Sequence, residues 1–432
     1  MSFQQGLSGL SASSKQLEVI GNNVANANTA GFKAANAVFS DVFSQAGGGS
    51  SSTAVGIGTA VSSVLQNFAQ GNISVTNNPL DVAINGSGFF RLNNNGVVSY
   101  TRGGQFSIDK SGYIVNASGQ HLTGYGVNAN GQVVQSTPSD LTISSSDISP
   151  KVTDGVDVKV NLSSQSATIN KVTTPFDITN GSTYTSSTSV SVYDSLGNQH
   201  TMSLYFARRT ATTWDVYGAL DGTQIQGSPT VDNPIRTLTF SSAGKITGGG
   251  SGNYTIPTTN PDTGVTLGNP ALTGSIPFTT DPTGKALGNG LVFAQSTQFG
   301  TPFSVNSLVQ TGYTAGRLSG FSVGTDGVIL GRYSNGQSRP QGQMVLANFT
   351  NPNGLRQLGN NQWAESSDSG PALVGAPNTG SLGTLQSGAV EEANIDLTAE
   401  LVDMITAQRV YQANAQTIKT QDQILQTLVN LR

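Results

Sequence analysis

At 432 residues the chain is too long for one ordinary core and implies roughly two to four domains. Only 10% of residues are charged, the net charge is −4, and the 20 Lys and Arg are scattered rather than gathered into a stripe, which argues against nucleic acid as a partner. The chain has no cysteine, so it has no disulfide framework and no thiolate chemistry, and its 53 glycines among Ser, Thr and Asn tracts fit a β-rich protein with many tight turns.

At the N-terminus Phe3, Leu7, Leu10, Ser14, Leu17, Gly21 and Val24 alternate spacings of four and three, the seam of a heptad helix. The same stretch has neither a basic start nor an apolar signal core, and no run reaches the ~18 apolar residues of a membrane span. The expectation is a protein exported without a cleaved signal peptide and not inserted in a membrane, with the composition of an extracellular bacterial protein. The segment "IGNNVANANTAGFK", Ile20 to Lys33, follows directly. Asn22, Asn23, Asn26 and Asn28 are suited to cap the helix, satisfy its last backbone groups and bond laterally to neighbours. Gly31 allows a sharp exit and Phe32 an apolar anchor.

Residues 44–60 and 366–388 read as loops, lying symmetrically inside the two ends as the legs of one connector. Between about 70 and 365 the pattern becomes short alternating runs. Asn-Gly at Asn85, Asn95, Asn130, Asn180, Asn289, Asn335 and Asn353, and Asp-Gly at Asp154, Asp221 and Asp326, are candidate hairpin turns. "SVSVYDSLGNQHTMSLYFAR", Ser189 to Arg208, predicts an antiparallel pair. The Gly, Pro and Thr-dense stretch Gly244 to Gly274 reads as an exposed loop.

At the C-terminus heptad spacing runs through Leu397, Leu401, Met404, Gln408, Tyr411, Ala415, Ile418, Asp422, Leu425 and Val429. Glu391, Glu392, Asp396, Glu400 and Asp403 at its start, with Lys419 and Arg432 near its end, complement a helix dipole. Its outward face carries Gln408, Gln412, Gln416, Gln421, Gln423 and Gln426, an uncharged hydrogen-bonding surface suited to packing on protein; a plain two-stranded stalk is the alternative.

The fold class that follows is mainly β with terminal α-helices. The two heptad helices pair as a coiled-coil-like domain, and nested antiparallel β domains are inserted between them. No catalytic, cofactor-binding or metal-binding residue stands out. His121 and His200 lie in β-like surroundings, "VGIGTAV" (Val55 to Val61) lacks a third glycine, and Asp154 with Asp157 or Asp177 with Asp194 are the carboxylate pairs an acid–base reading would use. Turns such as "IDKSG" at Ile108 do not repeat with calcium-ligand spacing.

A heptad helix followed by "GNNVANANTAGFK" resembles the signature of the bacterial flagellar axial proteins, the rod, hook and hook-associated subunits. Within that family the hook proteins are most similar, through Phe68 to Leu92, Gly312 to Gln337 and Leu397 to Arg432, the last ending in "LVNLR". The resemblance implies a structural subunit and no enzyme: a helical homopolymer forming a curved tubular universal joint that passes motor torque from rod to filament. It also implies type III export, assembly under a hook cap, and junctions with the distal rod and the hook–filament junction proteins. The division expected is 1–30 with 396–432 as terminal helical polymerisation domain, 31–70 with 366–395 as connector, 71–145 with 312–365 as inner β domain, and 146–311 as outer β domain. Leu7, Leu10, Leu17, Val24, Leu397, Leu401, Met404, Tyr411, Ile418, Leu425 and Val429 would form the polymerising seam. Rival readings are a distal rod subunit, a secreted β-rich adhesin and, more remotely, a glycan hydrolase using two aspartates.

Overall fold

The computed structural model describes residues 2–42, 56–128, 131–228, 231–268, 271–278 and 290–430. Two compact units partition the chain: 1–145 with 319–332 and 338–432, and 146–318 with 333–337.

In the first unit helix α1, Ser2–Ala25, and helix α2, Leu397–Asn430, lie antiparallel. Gly6 faces Ile418, Gly9 faces Asn414, and Asn23 bonds Glu400. Asp396 caps α2, its Oδ1 accepting from the Thr398 and Ala399 amides at 2.9 and 3.2 Å. Glu391 and Glu392 do not serve the helix start, because Glu391 ends the strand Ala389–Glu391, five residues before the cap. Lys419 lies inside α2 rather than in its last turn, and Arg432 falls outside the described residues.

The pairing seam is only partly the expected one: of its stations Ile418 packs against Gly6. In α1 the buried positions are Gly6, Ala12, Ser13, Val19, Ile20 and Asn23; Leu10, Leu17 and Val24 are half-buried, and Leu7 is 52% exposed. In α2 Ala407 is buried and Met404, Asn414, Ala415 and Ile418 are half-buried, whereas Leu397, Leu401, Tyr411 and Leu425 are exposed. Val429's side chain lies outside the described residues. The physical reason is size. A Cβ added to Gly9 would sit 2.8 Å from the Asn414 side chain, so glycines make the close contact on α1 and several of the bulkier stations are left outside it.

After α1 the chain forms an antiparallel hairpin, Ala35–Val42 with Gly58–Gln66, bulged at Val38/Phe39. The expected loop at 44–60 is thus partly strand, and its residues 44–55 lie outside the described set. The main sheet of this unit runs in the order 318–323, 328–333, 338–344, 121–125, 89–94, 97–101, 362–364, 356–359. Phe89, Tyr100, Phe349, Leu355 and Trp363 pack beneath it with Phe68, in edge-to-face contacts of 4.8 to 5.8 Å between ring centres.

The second expected loop, 366–388, also carries strands. Leu373–Gly375 pairs with Leu346–Asn348, and Thr384–Ser387 pairs with Val82–Asn85. Ala389–Glu391 then pairs with Ile73–Val75. The reason is that Val82, Ala83 and Ile84 are fully buried and need a partner for their backbone groups, which Thr384–Ser387 supplies.

In the second unit one sheet centres on Gly155–Ser163, which pairs antiparallel with Ser304–Gln310 and parallel with Gly290–Val292 and Thr297–Phe299. A second sheet runs 186–193, 199–208, 213–220, 236–240, 246–248. Its first pair is antiparallel in register Ser186↔Phe206 to Tyr193↔Gln199. Alternate residues Val156, Val158, Val160 and Leu162 meet Val192, Met202, Leu204, Phe206 and Trp214 in one core. The stretch 244–274 is not a plain loop: Tyr254–Ile256 pairs with Ile276–Phe278, and Ile256, Leu267 and Leu272 are drawn into that core.

Turn chemistry sorts the Asn-Gly and Asp-Gly sites. Asn95-Gly96 (φ 50 and 93) and Asp221-Gly222 (φ 47 and 83) make two-residue hairpin turns. Gly336 (φ 77) and Gly327 (φ 80) close the turns on either side of Val328–Tyr333. The others differ from expectation. Asn180 caps a 3-10 turn through its side chain, Asn353-Gly354 lies in another, Gly155 opens a strand, and Asn85-Gly86 links strands that pair elsewhere. Asn130 and Asn289 lie outside the described residues.

Candidate functional site

The signature segment forms the joint between the helices and the sheet of the first unit. α1 ends as Asn26 turns back, its Nδ2 donating to the Asn22 carbonyl at 3.0 Å and to Asn22 Oδ1 at 2.8 Å. Its Oδ1 accepts from the Thr29 hydroxyl at 3.3 Å. Asn28 is exposed. Gly31 leaves the helix at φ 71, where an added Cβ would lie 2.5 Å from the Gly103 nitrogen, so the close approach as well as the conformation demands glycine. Phe32 is buried directly after it.

Asn23 behaves differently from the outward role expected for all four asparagines. It is 1% exposed and clamps the first hairpin strand by two bonds, Nδ2 to the Ala35 carbonyl at 2.9 Å and Oδ1 from the Ala35 amide at 3.0 Å. The same Nδ2 reaches Glu400 Oε1 at 3.0 Å, tying α1, the hairpin and α2 together. Burial raises the Glu400 pKa; the Asn23 bond opposes that shift and the charge of Asp403 adds to it.

Beneath the joint lies a charge cluster that sequence reading passed over. Lys33 Nζ meets Glu391 Oε1 at 2.6 Å with both side chains fully buried, and Arg102 Nη1 lies 3.4 Å from Glu391 Oε2. Glu391 Oε1 also accepts from the Gly71 amide at 2.9 Å, and Lys33 Nζ donates to the Ala69 carbonyl at 2.7 Å. Arg102 Nη2 donates to the Gly86 carbonyl at 2.8 Å, with its guanidinium 5.6 Å from the Phe89 ring centre. Burial pulls the Lys33 pKa down, against the pull of Glu391, and burial likewise lowers Arg102. Asn394 braces the same place, accepting from the Ala34 amide at 2.8 Å and donating to the Asn67 carbonyl at 2.7 Å. Two cations on one buried carboxylate join the outgoing leg (Lys33), the sheet (Arg102) and the returning leg (Glu391). The available signal was Lys33 closing the signature and Glu391 standing five residues ahead of a helix cap.

The carboxylates of the acid–base reading do not converge. Asp154 pairs with Lys151 at 3.1 Å and Asp157 with Lys159 at 3.5 Å. Asp177 bonds the Thr179 amide and hydroxyl. Asp194 is buried against the Thr273 hydroxyl at 2.7 Å and Asn198 at 2.9 Å; burial would raise its pKa, yet these bonds hold it well below the usual carboxylate range. His121 bonds Asp140 at 2.7 Å and His200 bonds Asp221 at 2.8 Å, each a buttress within its own sheet. Among the described residues no group of His, Asp and Glu is arranged to hold a metal ion.

Four family models match the chain: "Flagella basal body rod protein" over residues 3–33, "Flagellar hook protein FlgE/F/G D1 domain" over 83–174, "Flagellar basal body protein FlaE D2 domain" over 161–313 and "Flagellar basal body rod FlgEFG protein C-terminal" over 386–431. The flagellar hook protein FlgE of Salmonella typhimurium is 40% identical over 438 residues, covering 100% of both chains. That of Escherichia coli K12 is 40% identical over 439 residues, again covering 100% of both, and that of Borreliella burgdorferi is 33% identical over 451 residues, covering 100% of this chain and 99% of its own. Among solved structures, the Helicobacter pylori flagellar hook protein FlgE2 overlays 72% of this chain and 99% of its own at a TM-score of 0.47 with 15% identity.

Proposed function

This chain belongs to the flagellar hook protein family, and on that premise we propose how it builds the hook. It is a structural subunit that polymerises into a curved tubular universal joint, transmitting motor torque from rod to filament. The observation that carries the mechanism is the apolar stripe left uncovered on the paired helices, with Leu7 on α1 and Leu397, Leu401 and Leu425 on α2 all exposed. Copies of the chain cover that stripe for one another together with the exposed Tyr411, and the half-buried Leu10, Leu17, Val24, Met404 and Ile418 back it from within the helix pair. One such contact repeated without closing generates a helical tube.

The working division is 1–30 with 396–432 as polymerisation domain, 31–70 with 366–395 as connector, 71–145 with 312–365 as inner β domain and 146–311 as outer β domain. The connector is structured rather than slack, since its strands pair with those of the inner part. The neutral glutamine face of α2 tolerates small shifts between neighbours as the tube bends, which fixed ion pairs would resist. Asn22 and Asn26 supply lateral hydrogen bonds at the joint, while Asn23, Gly31 and Phe32 hold it. The partners are the rod, the hook cap, the hook–filament junction proteins and the type III export apparatus.

The test replaces Leu401, Val402 and Ile405, exposed neighbours on α2, by serine. Tubes should be lost in electron micrographs while the monomer keeps the parent's circular dichroism and melting point. Tubes forming as before would refute the stripe's role.

A further inference from the structure

Among the described residues, the antiparallel register of the helices leaves the last turns of α2 without a stretch of α1 beside them. Gly6 faces Ile418 and Gly9 faces Asn414, so Ser2 falls opposite Asp422 and the helix beyond Asp422 overhangs. Through Asn430 that overhang spans about two turns, ~12 Å. Residues 423–427 are all exposed, including Ile424 at 47% and Leu425 at 54%. The two apolar side chains sit between Gln423 and Gln426, the latter donating to Asp422 Oδ2 at 2.9 Å, so the overhang is an apolar knob with amide flanks and a bonded carboxylate at its base.

At the other end of the helix pair, beside the signature, lies a cleft of about 550 Å³. Its floor is apolar, from Val19, Phe32 and Trp363, and its rim is amide, from Asn22, Asn26, Gln66 and Gln357. The charged rim residues, Lys15 and Glu18, pair with each other at 2.8 Å and so present no net charge. An occupant with a charged face would leave its charge unpaired there, whereas an apolar knob with amide flanks satisfies both floor and rim.

Resting on the reading that the chain assembles with copies of itself, we propose that the overhanging end of α2, through Ile424 and Leu425, seats in this amide-rimmed cleft of the next copy. Knob and socket lie at opposite ends of one helix pair, so copies stacked in the same direction make a head-to-tail contact that repeats along the tube. It gives the signature asparagines Asn22 and Asn26 a second surface to serve beyond ending α1. Neutral amides at the rim let the knob rotate and shift without breaking ion pairs.

The absence of native cysteine makes the test clean. The double variant Gln357→Cys/Leu425→Cys, assembled into tubes and mildly oxidised, should run on non-reducing denaturing gels as a ladder of dimers, trimers and higher species that collapses to monomer on reduction. Gln357→Cys/Val172→Cys, using an exposed position of the other unit, should stay monomeric. Tubes that give no ladder from the first pair would overturn the knob-and-socket contact while leaving self-assembly intact. A ladder from Gln357→Cys/Leu7→Cys instead would overturn it by assigning the cleft to α1. If the parent chain forms no tubes, the assembly premise fails and this inference with it. As an independent arm, Ile424→Ser/Leu425→Ser should fold and melt like the parent but lose at least tenfold in the amount of tube formed; unchanged assembly would likewise overturn the proposal.

Discussion

Replacing Glu391 with glutamine tests the joint at its centre. The substitution keeps the shape but removes the one negative charge facing Lys33 Nζ at 2.6 Å and Arg102 Nη1 at 3.4 Å. All three side chains are buried. Breaking a buried ion pair by removing one partner costs about 3–5 kcal/mol, because the remaining charge stays desolvated. That corresponds to a fall in Tm of about 6–20 °C for a unit of this size, at roughly 2–4 °C per kcal/mol. The loss should depend on pH in a defined direction. Lys33 already has its pKa lowered from 10.5 by burial, with Glu391 pulling it up; without Glu391 it drops further. A group whose folded pKa lies below its unfolded value contributes stability that is present above the unfolded pKa and lost as pH falls through the folded one. The deficit of Glu391→Gln should therefore shrink as pH rises toward and past 10.5, above which Lys33 is neutral in both states. Thermal denaturation at pH 7 and pH 10, for Glu391→Gln, Lys33→Met and the double variant, measures this. The double variant should be less destabilised than the sum of the singles. A Glu391→Gln protein within about 1 kcal/mol of the parent, below the range for a broken buried pair, or strictly additive effects would refute the argument.

Other perturbations report on neighbouring parts. Gly31→Ala should cost more than the ~1–2 kcal/mol of a left-handed residue, because its Cβ would meet the Gly103 nitrogen at 2.5 Å; a melt unchanged from the parent would contradict this. Gly9→Leu should separate the helices at Asn414, lowering helical ellipticity on heating by an overpacking cost of about 1–3 kcal/mol, while leaving in place the tryptophan fluorescence melt, reported by Trp363 of the first unit's sheet and Trp214 of the second unit's core. Glu400 has a raised folded pKa, so its contribution is present below the unfolded value of 4.5 and lost as pH rises through the folded one. Glu400→Gln, which keeps an acceptor for Asn23, should abolish that pH dependence of helix-pair stability between pH 3 and 7.

Periodicity made the helices and many strands legible. The spacing of Leu397, Leu401, Met404 and onward predicts α2, and the alternation about "DSLGN" predicts the pair 186–193 with 199–208. Which helix face meets which partner was not legible, because the largest apolar residues were assumed to mark the intramolecular contact. In this chain Gly6 and Gly9 on α1 mark it instead, with Ile418 and Asn414 packed against them and Ser13 and Ala407 buried nearby, while Leu7, Leu397, Leu401 and Leu425 stay exposed. The same limit hid the joint. Lys33, Arg102 and Glu391 are far apart in sequence, and nothing local distinguishes a buried glutamate from one serving a helix dipole. The strands at 373–375 and 384–387 were masked by their Gly, Pro and Thr neighbours; their pairing is set by long-range demand from buried partners rather than by their own propensity.

The most direct test of the account is electron microscopy of the full-length chain beside a chain shortened to residues 32–395, which keeps the strands up to Ala389–Glu391 and removes both terminal helices. Curved tubes from the first and folded monomers from the second are the predicted result. Tubes from the shortened chain, or monomers from both, would contradict a hook built through its terminal helices.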